Sequence, residues 1–265
     1  MFNIIKASLF KLFRDKTFHI TAIIGTVLAL LIIAFSALTE SLNGHSLFLS
    51  AFIPSNNFGL TIPINLIAFT VCEFTYGTIR NKIIAGLSKT KIYIGLFITG
   101  LVFTFILAIY YGAIIIGLSS AIGGFDASKI GGVNFVLCYL AYTVATYVLV
   151  SSLSVFFASI FRQIGGSITI VIILLVFLSL LPLIIFTATV DTANITPAHW
   201  SMWINPFYMA GFYGNSVVSL LAAFNIPGLF DQTPQMIAAG IVTPFVWATL
   251  LFIGGIIIFK HRDIK

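Results

Sequence analysis

Charged residues are scarce in this sequence. They make up 8% of its 265 residues, and apolar residues make up 60%, whereas a soluble domain carries a charge at about a quarter of its positions. So few charges cannot coat a surface that faces water. Together with a mean hydropathy of +1.13, this scarcity excludes an ordinary soluble domain and indicates a membrane protein.

Motifs for catalysis and for cofactor binding are missing as well. The chain has no Gly-x4-Gly-Lys-Ser/Thr loop to hold ATP phosphates and no Gly-x-Ser-x-Gly nucleophile elbow. Its four histidines stand far apart, without metal-ligand spacing. Cys72 and Cys138 lie in apolar runs, where they cannot join loops by a disulfide, so packing is their expected role. We predict that the chain is not an enzyme, has no catalytic residue and itself binds no metal or cofactor.

Six apolar runs make up most of the chain, and each is long enough to cross about 30 Å of hydrocarbon as a helix. The runs are continuously apolar rather than alternating, which excludes barrel strands. We predict an all-α membrane protein in which an interfacial helix (residues 1–19) precedes a six-span domain (residues 20–265). The predicted spans cover residues 20–38, 58–76, 92–118, 133–161, 164–190 and 237–259.

Basic residues indicate which side of the membrane each connection occupies. With six spans and both termini inside, twelve of the thirteen Lys and Arg residues lie on the cytoplasmic side and only Lys129 lies outside. This distribution follows the positive-inside rule. The net charge of +6 therefore reflects orientation and does not indicate nucleic-acid binding. We expect a multi-pass protein of the cell membrane, specifically the cytoplasmic membrane of a bacterium.

The N-terminal segment has the pattern of an amphipathic helix. Its apolar residues fall on one helical face with charged residues opposite, which is typical of a helix lying in the inner membrane interface. Two alternatives stay open: a frayed terminus, and a cleaved signal that ends near residues 34–36. The residues predicted to form the apolar face are Phe2, Ile5, Leu9, Leu12 and Phe13.

The connection between spans two and three, residues 77–91, carries four basic residues. Burying four such charges in the bilayer would cost roughly 10–14 kcal/mol, so the segment is expected to emerge on the cytoplasmic side. Its turn residues predict a short helix. Gly77 ends span two and Thr78 caps the helix, Gly86 then stops it, and Ser88 caps the start of span three.

One side of this short helix is apolar, because Ile79, Ile83 and Leu87 follow one another at four-residue spacing. Such a helix can dock into a groove on a partner protein, and we predict that this stripe is the docking face. The alternative is a positive loop that faces only lipid. Glu73 is the sole charged residue within the predicted spans and lies at a span edge. An ion-coupled carrier or an intramembrane hydrolase is therefore hard to support.

The last outer loop, residues 191–235, is rich in aromatic residues. It contains the stretch "HWSMWINPFYMAGFYG", and aromatic rings of this kind prefer the headgroup level. We predict a segment that folds back into the outer leaflet, with an ordinary interface anchor as the alternative. Pro182 and Pro244 lie within spans five and six, where each can kink its helix. The residues predicted to form the outer-leaflet segment are Trp200, Trp203, Asn205, Pro206, Phe207 and Tyr208.

The stretch "EFTYGTIRNKIIAGLSKTKIYIG" (73–95) resembles the signature of type-2 ABC exporter permeases. In that family a Glu ends the second span, Gly-Thr-Ile/Leu-Arg/Lys follows, and Ser-Arg/Lys-x-Lys-x-Tyr precedes the third span. The "INPFY" stretch before the last span is also similar, so the resemblance extends over nearly the whole chain. A departure is Leu96, where family members often have Lys. The matching residues are Glu73, Gly77, Thr78, Ile79, Arg80, Ser88, Lys89, Lys91 and Tyr93.

The resemblance implies that the basic loop is a coupling helix resting on a separate ABC ATPase, which binds ATP and Mg²⁺. It also implies a dimer of permeases that exports its cargo along the dimer interface, where serines and glycines of spans four and five (Ser151, Ser152, Ser154, Gly165, Gly166) would permit close approach. Packing within one subunit is the alternative for these residues. The predicted coupling residues are Glu73, Gly77, Thr78, Ile79, Arg80, Asn81, Lys82, Ile83, Ile84, Gly86, Leu87, Ser88, Lys89 and Thr90.

The expected cargo is amphipathic or hydrophobic, because the spans offer no charges to bind a highly polar solute. A peptide, a toxin, a lipid-like molecule or a drug would fit, and the resemblance favours peptide export. Two other classes stay open. One is a non-transporting membrane anchor or assembly partner of another complex, and the other is an ion-coupled carrier.

Overall fold

The described part of the chain is built from helices and contains no strand. The computed structural model describes residues 2–38, 48–49, 60–124, 131–189, 200–214, 230 and 232–262. A short 3-10 turn at Trp200–Trp203 precedes the penultimate helix. The helices are α1 (Phe2–Arg14), α2 (Lys16–Leu38), α3 (Thr61–Thr75), α4 (Thr78–Ile84), α5 (Lys89–Gly123), α6 (Gly132–Phe161), α7 (Ile164–Thr189), α8 (Tyr208–Gly214) and α9 (Pro234–His261).

Four of these helices, α5, α6, α7 and α9, are long and apolar enough to cross a membrane. A fifth crossing is counted if α3 and α4, which meet at a bend of 55°, together form one span. These helices coincide with five of the six predicted spans. The predicted first span, 20–38, lies within α2, a helix of 23 residues. The chain thus has the helical character of a membrane protein.

Helix α6 forms the centre of the bundle. It packs against α9, α3, α5, α7 and α8, and 67% of its most apolar stretch is buried, compared with 22% for α7 and for α9. Small residues bring the helices close together. A side chain on Gly240 of α9 would meet the Tyr142 ring of α6 at 2.5 Å. The apolar outer sides of α7 and α9 are left to face lipid or another chain.

The serines expected at a dimer interface lie inside the chain instead. Ser151, Ser152 and Ser154 are fully buried, and the Ser151 hydroxyl donates to the Thr104 hydroxyl of α5 at 2.8 Å. The interface prediction is therefore wrong for these three residues, and packing within one subunit is their role. Gly165 and Gly166 are exposed at the start of α7.

Helix α1 is formed as predicted, and it is docked on the bundle. Leu12 is 2% exposed and belongs to the same apolar core as Ile79 and Phe103. Ile5 and Leu9 are half-buried, whereas Phe13 is exposed. The side chain of Phe2 lies outside the described part of the structure. The frayed-terminus alternative is wrong, because this helix contacts α2 and α5.

Candidate functional site

The loop between α3 and α5 turns at two glycines. Gly77 has φ 66° and Gly86 has φ 85°, values that glycine adopts without a steric penalty. Ser88 caps α5 as predicted, because its hydroxyl accepts from the Lys91 amide at 3.4 Å. The cap predicted for α4 is wrong. Gly77 occupies that position, and the Thr78 hydroxyl donates backwards to the Glu73 carbonyl at 2.7 Å, which tightens the turn.

Glu73 joins three helices through its carboxylate. Lys11 of α1 lies 2.6 Å from one oxygen and Lys82 of α4 lies 2.7 Å from the other, while the Glu73 side chain is only 1% exposed. A buried carboxylate is tolerated when both its oxygens have charged partners. A lone carboxylate at a span edge indicates that partners must exist. Nothing in the local sequence identifies Lys11, which lies 62 positions away.

The apolar stripe of α4 faces the interior of the chain. Ile79 is 0% exposed, and Ile83 and Leu87 pack against the core that Leu12 and Phe103 also form. A partner cannot reach Ile79, which is already covered, whereas Ile83 and Leu87 are half-buried. The prediction that these residues form a docking face is therefore wrong for Ile79, and the packing of all three against the core holds this part of the loop on its own bundle.

An exposed surface is formed by Arg80, Asn81 and Ile84 of α4 together with Tyr76, which precedes the helix, and we call it the exposed α4 surface. Ile84 is 74% exposed and Tyr76 is 71% exposed, and Arg80 and Asn81 are also exposed. The Lys11 ammonium lies over the Tyr76 ring, 5.9 Å from its centroid. A large exposed isoleucine beside an arginine is the combination that suits an apolar contact with an acidic rim.

Lys89 ties the loop to the C-terminal end of α9. Its ammonium donates to the carbonyls of Lys260 at 3.2 Å and of Arg262 at 2.8 Å. The Arg262 guanidinium in turn donates to the carbonyls of Ser159 at 3.3 Å and of Ile160 at the end of α6. Lys89, one of the predicted coupling residues, therefore connects the start of α5 with the end of α9. The neighbouring residue Thr90 is half-buried.

Arg162, between α6 and α7, completes this end of the bundle. It has a left-handed backbone, with φ 52°, and its guanidinium lies 5.2 Å from the centroid of the Phe74 ring. Burial, together with the neighbouring positive charge of Arg262, lowers the pKa of Arg162. The ends of α3, α5, α6 and α9 are thus linked side by side around the loop.

The aromatic segment at the opposite end of the bundle penetrates between α7 and α9. Trp200 and Trp203 are exposed, whereas Asn205, Pro206, Phe207 and Tyr208 are buried. The Trp247 ring nitrogen donates to the Ile204 carbonyl at 3.0 Å. Because Trp247 lies thirteen residues into α9, the segment reaches about 20 Å below the start of that helix. The segment therefore packs against the sides of both helices, and its re-entry into the outer leaflet stays a prediction.

A lateral groove of about 320 Å³ lies between α5 and α6. It is lined by the small residues Ala108 and Gly112 and by the larger residues Phe105, Ile109 and Val144. The groove runs along twelve residues of α5, from Phe105 to Ile116, or about 16 Å. The Thr143 hydroxyl in its wall is already used, because it donates to the Tyr139 carbonyl at 2.8 Å. Such a lining suits a hydrocarbon chain.

Among the described residues, no group of three His, Cys, Asp or Glu side chains is placed to hold a metal ion. Comparisons of the chain with protein-family models, with curated proteins and with solved structures find no match.

Proposed function

We propose that this chain is the membrane-spanning permease subunit of an ATP-driven exporter, with six spans and both termini in the cytoplasm. A separate ABC ATPase would bind ATP and Mg²⁺ and would rest on the exposed α4 surface. The observation that carries the proposal is the way α4 packs on the bundle. Its apolar side is packed into the bundle, its other side is exposed, and a buried carboxylate ties it to α1 and α3. The resemblance of residues 73–95 to exporter permeases supports the same reading.

In this proposal, α4 transmits a movement of the ATPase to the spans. A force on Ile84 would be transmitted by Ile79 and Ile83 to α5, and by Lys82 through Glu73 to α3 and α1. Close-packed interiors transmit such displacements because they have few voids to absorb them. Lys89 would pass the same movement to the end of α9.

The proposed cargo is amphipathic or hydrophobic, and the groove between α5 and α6 supports this choice. Its lining is nearly all carbon, and its length runs parallel to the helices. A peptide with apolar side chains, a toxin, a lipid-like molecule or a drug can place hydrocarbon there. A highly polar solute would lose its hydration without gaining a partner.

A second copy of the chain is the proposed partner within the membrane. Helix α7 exposes a row of large apolar residues at spacings of four, three and four. This is the spacing of a helix-packing seam, and the exposed glycines 165 and 166 begin the same helix. The residues of this row are Ile173, Phe177, Leu180 and Ile184.

The alternatives are disfavoured to different degrees. An ion-coupled carrier needs a carboxylate that can exchange protons or ions, and Glu73 is already held by two lysines.

A non-transporting anchor is distinguished by its partner. We expect that the tagged chain, purified in mild detergent from its native membrane, carries with it a protein with Walker motifs. Recovery with other proteins and no such ATPase would favour the anchor.

The proposed topology predicts opposite labelling of two engineered cysteines. In a variant with Cys72 and Cys138 replaced by Ala, we expect Ser128→Cys to react with a membrane-impermeant maleimide in intact cells. Ser88→Cys, which precedes α5, should react only after the cells are opened. The reason is the distribution of basic residues across the membrane. Labelling of position 88 and protection of position 128 in intact cells would show an inverted topology.

A further inference from the structure

Pro182 leaves an unused carbonyl in the middle of α7. Proline has no backbone N–H, so the carbonyl four residues earlier loses its helical donor. In α7 that carbonyl belongs to Leu178, eleven residues before the end of the helix at Thr189, or about 16 Å inside it. A buried carbonyl at that depth must be satisfied from outside the helix.

The Asn205 side chain supplies the missing donor. Its Nδ2 donates to the Leu178 carbonyl at 2.8 Å, and its Oδ1 accepts from the Phe207 amide at 3.0 Å. The two contacts require opposite ends of the amide group, so together they define its orientation. Asn205 is itself only 7% exposed.

The same site brings two backbones into contact. A side chain on Gly211 of α8 would meet the Ser179 carbonyl oxygen of α7 at 2.8 Å, one residue beyond Leu178. On its other side the segment accepts from α9, since the Thr243 hydroxyl donates to the Met202 carbonyl at 3.3 Å. Residues 202–211 are therefore wedged between two helices that each contain an internal proline.

We infer that Asn205 takes the place of the backbone donor that Pro182 lacks, and that this hydrogen bond is the latch that holds the segment 200–214 inserted between α7 and α9. Asn205 is thus a positioning residue, and Pro182 is the reason that it is needed. The inference stands on the geometry alone and does not depend on the exporter proposal.

The latch is tested by the accessibility of Met209, which is 2% exposed. In the full chain without Cys72 and Cys138, purified in detergent, Met209→Cys should react slowly with a soluble maleimide. Adding Asn205→Ala should speed this reaction roughly tenfold, because leaving a buried carbonyl without its donor has an effect on the order of that factor. The control Ser179→Ala removes a hydroxyl that bonds only within α7 and should change little. An unchanged reaction rate with Asn205→Ala would overturn the latch.

The role of Pro182 is tested by a double-mutant cycle on the thermal midpoint, Tm. Asn205→Ala should lower Tm by about 4 °C in the parent chain. It should lower Tm less when Pro182→Ala has restored the amide of residue 182, because Leu178 then has a helical donor and only the Phe207 amide loses its partner. Equal losses in both backgrounds would show that Asn205 does not serve that carbonyl. If Asn205→Ala alone fails to fold, recovery of folded protein in the double variant supports the inference, and failure of the double variant contradicts it.

Discussion

Glu73→Gln is expected to lower the stability of the chain more than any other single change at the loop. The amide keeps the shape of the carboxylate but not its charge, so Lys11 and Lys82 lose their counter-charge. One of them also faces an N–H donor. Breaking a buried ion pair costs about 3–5 kcal/mol. The two lysine side chains are 39% and 21% exposed, so solvent screening reduces the expected loss to about 2–3 kcal/mol.

Thermal unfolding of the purified chain measures this loss, and a fall in Tm of roughly 5–10 °C is expected. Lys11→Met and Lys82→Met are the matched single changes, and each should cost less, because Glu73 keeps one partner. The triple variant with Met at positions 11, 73 and 82 should recover most of the stability, since it leaves no uncompensated charge. A Tm of Glu73→Gln equal to that of the parent would show that the carboxylate holds nothing together.

A double change on the exposed α4 surface, Arg80→Glu with Ile84→Asp, is expected to abolish binding of the proposed ATPase. It reverses one charge and places another where an apolar contact would be desolvated, which costs several kcal/mol in a bound complex. Both side chains are exposed in the chain alone, so folding and membrane insertion should be normal. In a pull-down from co-expressing cells, we expect at least about a tenfold loss of ATPase.

Val133→Asp is the control for this change. Val133 is 65% exposed and lies at the start of α6, at the opposite end of the bundle from the loop. An added acidic residue there should leave ATPase recovery unchanged. If the loop faces only lipid, the Arg80→Glu, Ile84→Asp variant and the control will both retain the ATPase in full, and the coupling assignment fails. Ile83→Asp cannot make this distinction, because Ile83 packs against the core and its replacement disturbs folding.

The helices and the turn residues of the loop could be predicted from the sequence, because they depend on neighbours along the chain. Continuous apolar runs require helices in a bilayer, and five of the six predicted spans coincide with helices that pass as crossings once α3 and α4 are counted together. Gly77, Gly86 and Ser88 act where local backbone chemistry places them. The amphipathic pattern of α1 likewise predicted a helix that the structure contains.

Only the tertiary structure decided which surfaces are covered. The four-residue spacing predicts that Ile79 and Ile83 share a side of α4, but a partner and the chain's own core would cover that side equally well. The core covers Ile79 fully and Ile83 in part, so the more accessible side is the one with Arg80 and Ile84.

The polar contacts that hold the two ends of the bundle also had to come from the fold. Lys11 and Glu73 lie 62 positions apart, and Leu178 and Asn205 lie 27 apart. The sequence by itself determined that a carboxylate at a span edge and a carbonyl freed by proline each need a partner, because unpaired polar groups are costly in a low dielectric. Which side chain answers that need depends on how the helices pack, and packing is a property of the whole chain rather than of any local stretch.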